Sequence, residues 1–244
     1  MSALEVTQNG WTAVPVNAGK LFNGKPFKNV PEPLLVSDIK WPTNDPVVTK
    51  VQQYAKEKLA GPAFNHSMRI FYYSTIIFKQ QFPEHAATLS PSTLALTALL
   101  HDIGTADENL TSTRMSFDFY GGIKALNLLQ DLGATKDQAE AACEAIIRHQ
   151  DIGTEGTITV LGQVIQLATI YDNVSNHPDM PDITDIIHTK TLEDVVKTFP
   201  RNGWSGCFSR IIEEEVRIKP WCHSTHIPDF AQQLLGNKFM EQYE

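Results

Sequence analysis

The sequence predicts an all-α protein, built as one helical domain with an irregular N-terminal arm. Apolar residues recur at helical spacing in segment after segment from residue 46 onward, and short loops containing proline, glycine or a capping residue join these segments. No strands alternate with the helices and no internal repeat is present, which favours a helical bundle. A chain of 244 residues, 42% hydrophobic, is large enough to bury one sizeable core.

Residues 1–45 form the predicted arm and residues 46–244 the helical domain. Five prolines between Pro15 and Pro42, together with several glycines, interrupt any sustained period, which predicts an extended segment with a few turns. The arm also carries several aromatic and leucine side chains, too many for a disordered tail. We therefore expect it to wrap on the surface of the core.

Start and stop signals place the first helices of the domain. Asn44-Asp45-Pro46 provides a capping residue followed by a proline suited to a first turn. Gly61-Pro62 ends this helix and begins a second one, which reaches Phe82 and is apolar almost all round, as expected of a central buried helix. Ser90-Pro91 opens a third helix that ends at His101-Asp102, with Gly104 suited to stopping it.

Weaker signals complete the chain. Residues 105–116 are predicted to form a polar loop beside the end of the third helix. The remaining predicted helices cover residues 117–132, 135–149, 158–174, 192–199, 208–218 and 228–239.

His66, His101, Asp102 and Asp172 each lie on, or at the end of, a strongly apolar helix. A buried charge is costly unless it is paired or coordinates a metal. A hydrogen-bonded core position is the simpler interpretation for any one histidine, but four such groups in one core favour a shared partner. Two imidazoles and two carboxylates are suitable ligands for a divalent metal.

The segments that hold these residues, Asn65–Arg69, Leu99–Gly104 and Tyr171–Asn173, resemble the H…HD…D pattern of the HD superfamily of metal-dependent hydrolases. This resemblance implies an all-helical HD domain in which the four residues bind the metal. Related enzymes with two metals carry extra histidines between the HD pair and the last aspartate. Here there is one, His149, so the resemblance favours a single metal.

A narrower resemblance, to the fungal cyanamide hydratases, covers most of the chain and weakens mainly in residues 17–40 and 175–200. It is carried by residues 9–16, 101–106, 111–118, 120–124, 145–149, 166–173 and 219–228. It implies a zinc enzyme, with one zinc per chain, that adds water to cyanamide to give urea. Iron and manganese remain open because ligand sets with carboxylates also accept them.

Further residues are candidates for roles in the reaction. His149 is the predicted proton-transfer residue, although a histidine that merely ends a helix also suits the helix dipole. Thr169 shares a helix face with Asp172 and is a candidate to hold the substrate, or it bonds back to its own helix. Asn173 is a second candidate for substrate binding. With four protein ligands, zinc would need a fifth position for the reaction, and Arg69 is expected to brace the site.

Composition limits the partners. The net charge of −8 disfavours nucleic acid, and no apolar run approaches the roughly 18 residues of a membrane span. Three cysteines without a CxxC pair predict a reducing, cytoplasmic compartment. The segment Cys222 to His226 is either a second metal site or, as we expect, a packed C-terminal segment. A homo-oligomer is left open.

Three other functions remain alternatives at this point. The first is an HD-family nucleotide phosphohydrolase, which would need cationic groups for the phosphates of its substrate. The second is a hydratase of another small nitrile. The third is a binding module whose metal is only structural, which predicts a closed metal site with no space beside it.

Overall fold

The structure, a computed structural model, describes residues 3–244. Helices dominate it, which confirms the predicted all-α class, and the sheet in this part of the chain has two short strands. The α-helices of the described residues are α1 Ala3–Gln8, α2 Ala18–Leu21, α3 Pro46–Lys58, α4 Gly61–Gln81, α5 Pro83–Ala86, α6 Pro91–Leu100, α7 Asp107–Ser112, α8 Phe117–Asp131, α9 Lys136–Arg148, α10 Val160–Asn173, α11 Thr189–Thr198, α12 Trp204–Ile218 and α13 Phe230–Leu235.

The main helices begin at the capping residues that the sequence indicates. Asp45 Oδ1 accepts a hydrogen bond from the backbone N–H of Val47 at 2.9 Å, and Pro46 occupies the first turn of α3. The side chains of Ser90 and Thr135 accept corresponding bonds at the starts of α6 and α9. These bonds satisfy N–H groups that have no partner within their own helix.

Helices α4 and α10 form the centre of the domain. All 14 residues of α10 and 14 of the 21 residues of α4 are buried. The two helices pack against each other, α6 and α12 also pack against α4, and α9 packs against α10. Because apolar side chains surround both helices, any polar group that they carry must find its partners inside the core. The site therefore lies where α4, α6, α9 and α10 meet.

The described part of the arm lies against the domain. Strand β1, Ala13–Pro15, pairs in antiparallel fashion with β2, Thr157–Thr159, just before α10. Phe22 is buried, and the backbone N–H of Leu34 donates to the hydroxyl of Thr191 on α11 at 2.9 Å. The arm thus contains short regular elements as well as turns. The division of the chain at residue 45 stays a prediction.

Several predicted element bounds differ from the structure, and α11 for example begins at Thr189 rather than at residue 192. The segment expected to be a polar loop contains α7, whose first turn carries Asp107 and Glu108, and acidic side chains there stabilise a helix N-terminus. Helix α12 begins at Trp204 rather than at residue 208, and α13 is shorter than the predicted 228–239. Within residues 3–244, no helix has both the length and the apolar character that crossing a membrane requires.

Gly104 allows two elements to approach closely beside the site. Helix α6 ends at Leu100, and a 3₁₀ turn, Ile103–Thr105, follows the His-Asp pair. A Cβ atom on Gly104 would lie 2.0 Å from the carbonyl oxygen of Phe117 at the start of α8. Only a residue without a side chain fits there. This contact brings the Phe117 ring beside the imidazole of His149, with the ring centroids 6.0 Å apart.

Candidate metal centre and active site

Four buried side chains converge where α4, α6 and α9 meet. His66 lies on α4, His101 and Asp102 follow α6, and His149 follows α9. The Nε2 atoms of His66 and His101 are 3.1 Å apart. Asp102 Oδ2 lies 3.5 Å from the first of these nitrogens and 3.2 Å from the second. Asp102 Oδ1 lies 3.9 Å from Nε2 of His149.

Hydrogen bonds fix the tautomers of the three imidazoles. Each Nδ1 faces an oxygen that can only accept: His66 faces Asp172 at 2.6 Å, His101 faces the carbonyl of Ala98 at 2.8 Å, and His149 faces the carbonyl of Ile146 at 2.6 Å. Each Nδ1 therefore carries the proton, and each Nε2 presents a lone pair. Metal-binding histidines are commonly oriented by such bonds from the other ring nitrogen.

This arrangement fits a divalent cation. Two nitrogen lone pairs face each other, and neither oxygen of Asp102 has a hydrogen-bond partner although the residue is buried. Lone pairs and an anionic carboxylate repel one another unless positive charge lies among them, supplied either by a proton on His101 or by a bound metal ion. Ligand atoms of His66, His101 and Asp102 all lie within 4.8 Å of one another, so these three residues could hold a metal ion.

Asp172, the predicted fourth ligand, lies beside the site but outside this group. Its carboxylate accepts from Arg69 at 2.8 Å, from Arg201 at 2.9 Å and from Nδ1 of His66. It therefore stands on the Nδ1 side of the ring whose Nε2 faces His101. Burial alone would raise the pKa of Asp172, but the two guanidinium groups hold it well below its usual range. A direct bond from Asp172 to the metal stays a prediction.

The pKa values of the site residues follow from their burial and from the charges close to them. Burial lowers the pKa of His66 to about 4, against the opposing effect of Asp172. Burial also opposes the charge on His101, but Asp102 outweighs it and raises the pKa of that imidazole. For Asp102 itself, the effect of burial is outweighed by the nearby imidazoles, and its pKa falls to about 2. Burial and His101 together lower the pKa of His149.

Comparison with known proteins shows the family to which this chain belongs. No family model matches the chain. Two curated relatives from Saccharomyces cerevisiae, cyanamide hydratase DDI2 and cyanamide hydratase DDI3, are each 39% identical to it over 236 residues, which is 96% of this chain and 99% of theirs. The chain belongs to the cyanamide hydratase family. The narrower resemblance is thereby confirmed, while that to the HD superfamily stays a prediction.

Two residues that the sequence analysis missed hold the site in this member of the cyanamide hydratase family. The indole of Trp204 stacks on His66, with ring centroids 4.3 Å apart, and its Nε1 donates to Asn173 at 2.7 Å. Arg201 is fully buried and pairs with Asp172. Both lie at or beyond the end of residues 175–200, where the resemblance weakens, and ahead of the predicted helix at 208. Neither residue lies in a stretch with a helical pattern of apolar residues, and the local sequence indicates only a tryptophan directly after Gly203.

The two predicted substrate-binding residues lie on α10, close to the metal group. The hydroxyl of Thr169 donates to the carbonyl of Gln166 at 2.9 Å, which is the bond back to its own helix that the sequence left open. The amide oxygen of Asn173 accepts from Trp204. Both side chains are almost fully buried. Contact with a substrate stays a prediction for both.

The C-terminal segment around His223 packs on the start of α8. Its Nδ1 lies 2.5 Å from Asp118 Oδ2, its backbone N–H donates to Ser116, and its ring stacks on those of Phe119 and His226. Among residues 3–244, the metal-type cluster of three or more ligating side chains is the one around His101. This geometry agrees with a packed C-terminal segment.

Proposed function

We propose that this protein is a metal-dependent hydro-lyase that adds water to cyanamide to give urea, with zinc held by His66, His101 and Asp102. The observation that carries the proposal is the convergence of two Nε2 lone pairs and an unbonded carboxylate in a buried position. The names of the two relatives support the choice of reaction.

The ligand set supports a catalytic rather than a purely structural metal. Two imidazoles and one carboxylate are a ligand set that catalytic zinc uses, and three protein ligands leave one coordination position open. Iron and manganese accept the same ligands and remain alternatives to zinc. When bound, the cation lowers the pKa of water toward about 7 and so supplies a nucleophile at neutral pH. With these three protein ligands no fifth coordination position is needed, whereas a bond from Asp172 as a fourth protein ligand would require one.

His149 is placed to move the proton. Its Nδ1–H is held by the carbonyl of Ile146, so its Nε2 carries the lone pair on the side that faces Asp102. Its lowered pKa keeps the ring neutral at physiological pH. The ring accepts a proton from water as the oxygen bonds to the nitrile carbon, and it returns that proton to the nitrile nitrogen. The resulting isourea rearranges to urea, so the water molecule is fully accounted for.

The charges around the site disfavour a nucleotide substrate. Arg69 and Arg201 are fully buried, and both pair with Asp172. Arg148 pairs with Asp151 at 2.7 Å. These cations are therefore not free to bind phosphate groups, which a nucleotide phosphohydrolase would require.

The test is urea formation from cyanamide by the purified protein, with metal content measured on the same sample and a chelated sample run beside it. We expect urea in the presence of about one zinc per chain, loss of activity on chelation, and recovery when zinc is restored. Metal without urea would reject the hydratase and call for assays with nucleotide monophosphates and triphosphates.

A further inference from the structure

Gln166 on α10 is a buried amide without partners. Its side chain is fully buried, and neither its oxygen nor its nitrogen has a hydrogen-bond partner. Gln81 is equally buried, but its oxygen accepts from the backbone of Lys28 and Asn29 and its nitrogen donates to the carbonyl of Asn29. Buried polar groups are almost always paired, because an unpaired one loses its hydration without compensation. Tyr73, Ser74 and Tyr171 also carry buried hydroxyl groups without partners, but an unpaired amide beside a proposed site is a candidate to bind a ligand.

Gln166 shares a face of α10 with Asn173, and Asn173 is linked to the metal group through Trp204. One face of α10 carries the side chains of Gln166, Thr169 and Asn173, because Thr169 follows Gln166 by three residues and Asn173 follows it by seven. Asn173 on this face bonds to Trp204, and the indole of Trp204 stacks on the ligand His66.

A second buried amide lies directly after the proton-transfer residue. Gln150 follows His149 at the end of α9, and α9 packs against α10. Its side chain is buried, and its amide oxygen has no partner. Two amide oxygens without donors thus lie next to two elements of the proposed site.

An amino group matches these oxygens. Cyanamide and acetonitrile have similar size, but cyanamide carries an amino group with two N–H donors where acetonitrile carries a methyl group. We propose that Gln166, with Gln150 as a second acceptor, binds the amino group of the substrate and thereby selects amino-nitriles over alkyl nitriles. This inference rests on the proposed function. A site built to bond a donor discriminates strongly against an analogue that lacks it, since its own polar groups are then left unpaired.

The test compares the Gln166→Met variant with the wild-type protein. Methionine keeps the length of the side chain but removes the amide. We expect the KM for cyanamide to rise about 10- to 100-fold, with a smaller change in kcat. Acetonitrile, used as a competitive inhibitor, is expected to bind the variant at least as well as it binds wild type. Gln150→Met provides a second variant, with a change in the same direction.

Gln163→Met is the matched control. Gln163 is also fully buried on α10, but its amide, once oriented so that its nitrogen faces the carbonyls of Pro15 and Val16 in the arm, donates to both at 3.3 Å. We expect this control to lower Tm while the KM for cyanamide stays unchanged. Metal content is measured in every variant, so that loss of metal is not mistaken for loss of substrate binding.

The outcomes separate the inference from the function on which it rests. If wild type forms urea but both Gln166→Met and Gln150→Met keep their KM, the amides bind only structural water and the inference is wrong. If KM rises equally in Gln163→Met, the effect is one of packing, and the inference is again wrong. If wild type forms no urea, the proposed function fails and the inference fails with it.

Discussion

The position of Asp172 leads to a prediction that separates its role from that of Asp102. Among the side chains that the structure describes, Asp172 is the carboxylate that neutralises Arg69, and it also pairs with Arg201; all three side chains are fully buried. Asp172→Asn keeps the shape of the side chain but leaves two guanidinium groups without that charge. Removing one partner of a buried ion pair costs about 3–5 kcal/mol in the free energy of unfolding.

Asp102 differs, because neither of its oxygens has a hydrogen-bond donor and the groups beside it are imidazoles rather than guanidinium groups. Asp102→Asn replaces this carboxylate with a neutral amide of the same shape and loses only its attraction to these imidazoles, so the free energy of unfolding should fall by about 1–2 kcal/mol. Metal binding should show the reverse order. We expect Asp102→Asn to abolish it, and we expect Asp172→Asn to weaken it about 10- to 100-fold, as changes to residues that orient a ligand do.

The assay is denaturant unfolding of chelated wild type, Asp172→Asn and Asp102→Asn, followed by zinc titration of each. For a chain of this size, a loss of 3–5 kcal/mol corresponds to a decrease in Tm of about 6–20 °C. The reasoning is refuted if the two chelated variants are equally stable. It is also refuted if Asp172→Asn loses zinc as completely as Asp102→Asn does, since Asp172 would then be a ligand.

Three further outcomes are expected. His149→Ala should keep its metal while kcat falls about 10²- to 10⁴-fold, as urea formation and metal analysis will show; equal loss of metal would make His149 a ligand. Trp204→Ala should lower the free energy of unfolding by about 3–5 kcal/mol, measured with denaturant, because the fully buried indole packs on His66. His223 bonds to Asp118, and this bond raises the pKa of His223 although burial acts in the opposite direction. The bond therefore stabilises the protein fully below about pH 6.5, and this stabilisation is lost as the pH rises through the raised pKa of His223. His223→Gln should therefore destabilise the protein by about 1 kcal/mol more at pH 5.5 than at pH 8.5, and a difference independent of pH would contradict this.

Much of the fold could be predicted because its signals are local. Asp45 before Pro46, and Ser90 before Pro91, identify helix starts through side chains that bond to nearby N–H groups. The continuous apolar stretches of α4 and α10 identify the buried centre. Helix α7 was missed because it has only six residues and a polar composition, so that no apolar period distinguishes it from a loop.

The predictable part of the site was the set of polar residues that lie on buried, apolar helices. His66, His101 and Asp102 stand out because polar groups on apolar helices need partners, and these three do meet. The second arginine partner of Asp172, Arg201, could not be inferred in this way. Arg201 lies 29 positions further along the chain, in a stretch without helical period, and only tertiary packing brings it to the carboxylate. Gln166 could not be singled out either, because the sequence does not show whether a buried amide has hydrogen-bond partners.

The arginines that bind Asp172 also fix the tautomer of His66, the proposed ligand. A buried ion pair is weak evidence for stability, because desolvation offsets much of the attraction. Its effect here is to hold the pKa of Asp172 well below its usual range, so the carboxylate stays anionic at every physiological pH. An anionic oxygen can only accept, and Nδ1 of His66 must therefore keep its proton. Arg69 follows His66 by three residues on α4, so one helix face supplies both a proposed metal ligand and a residue that fixes the position of its lone pair.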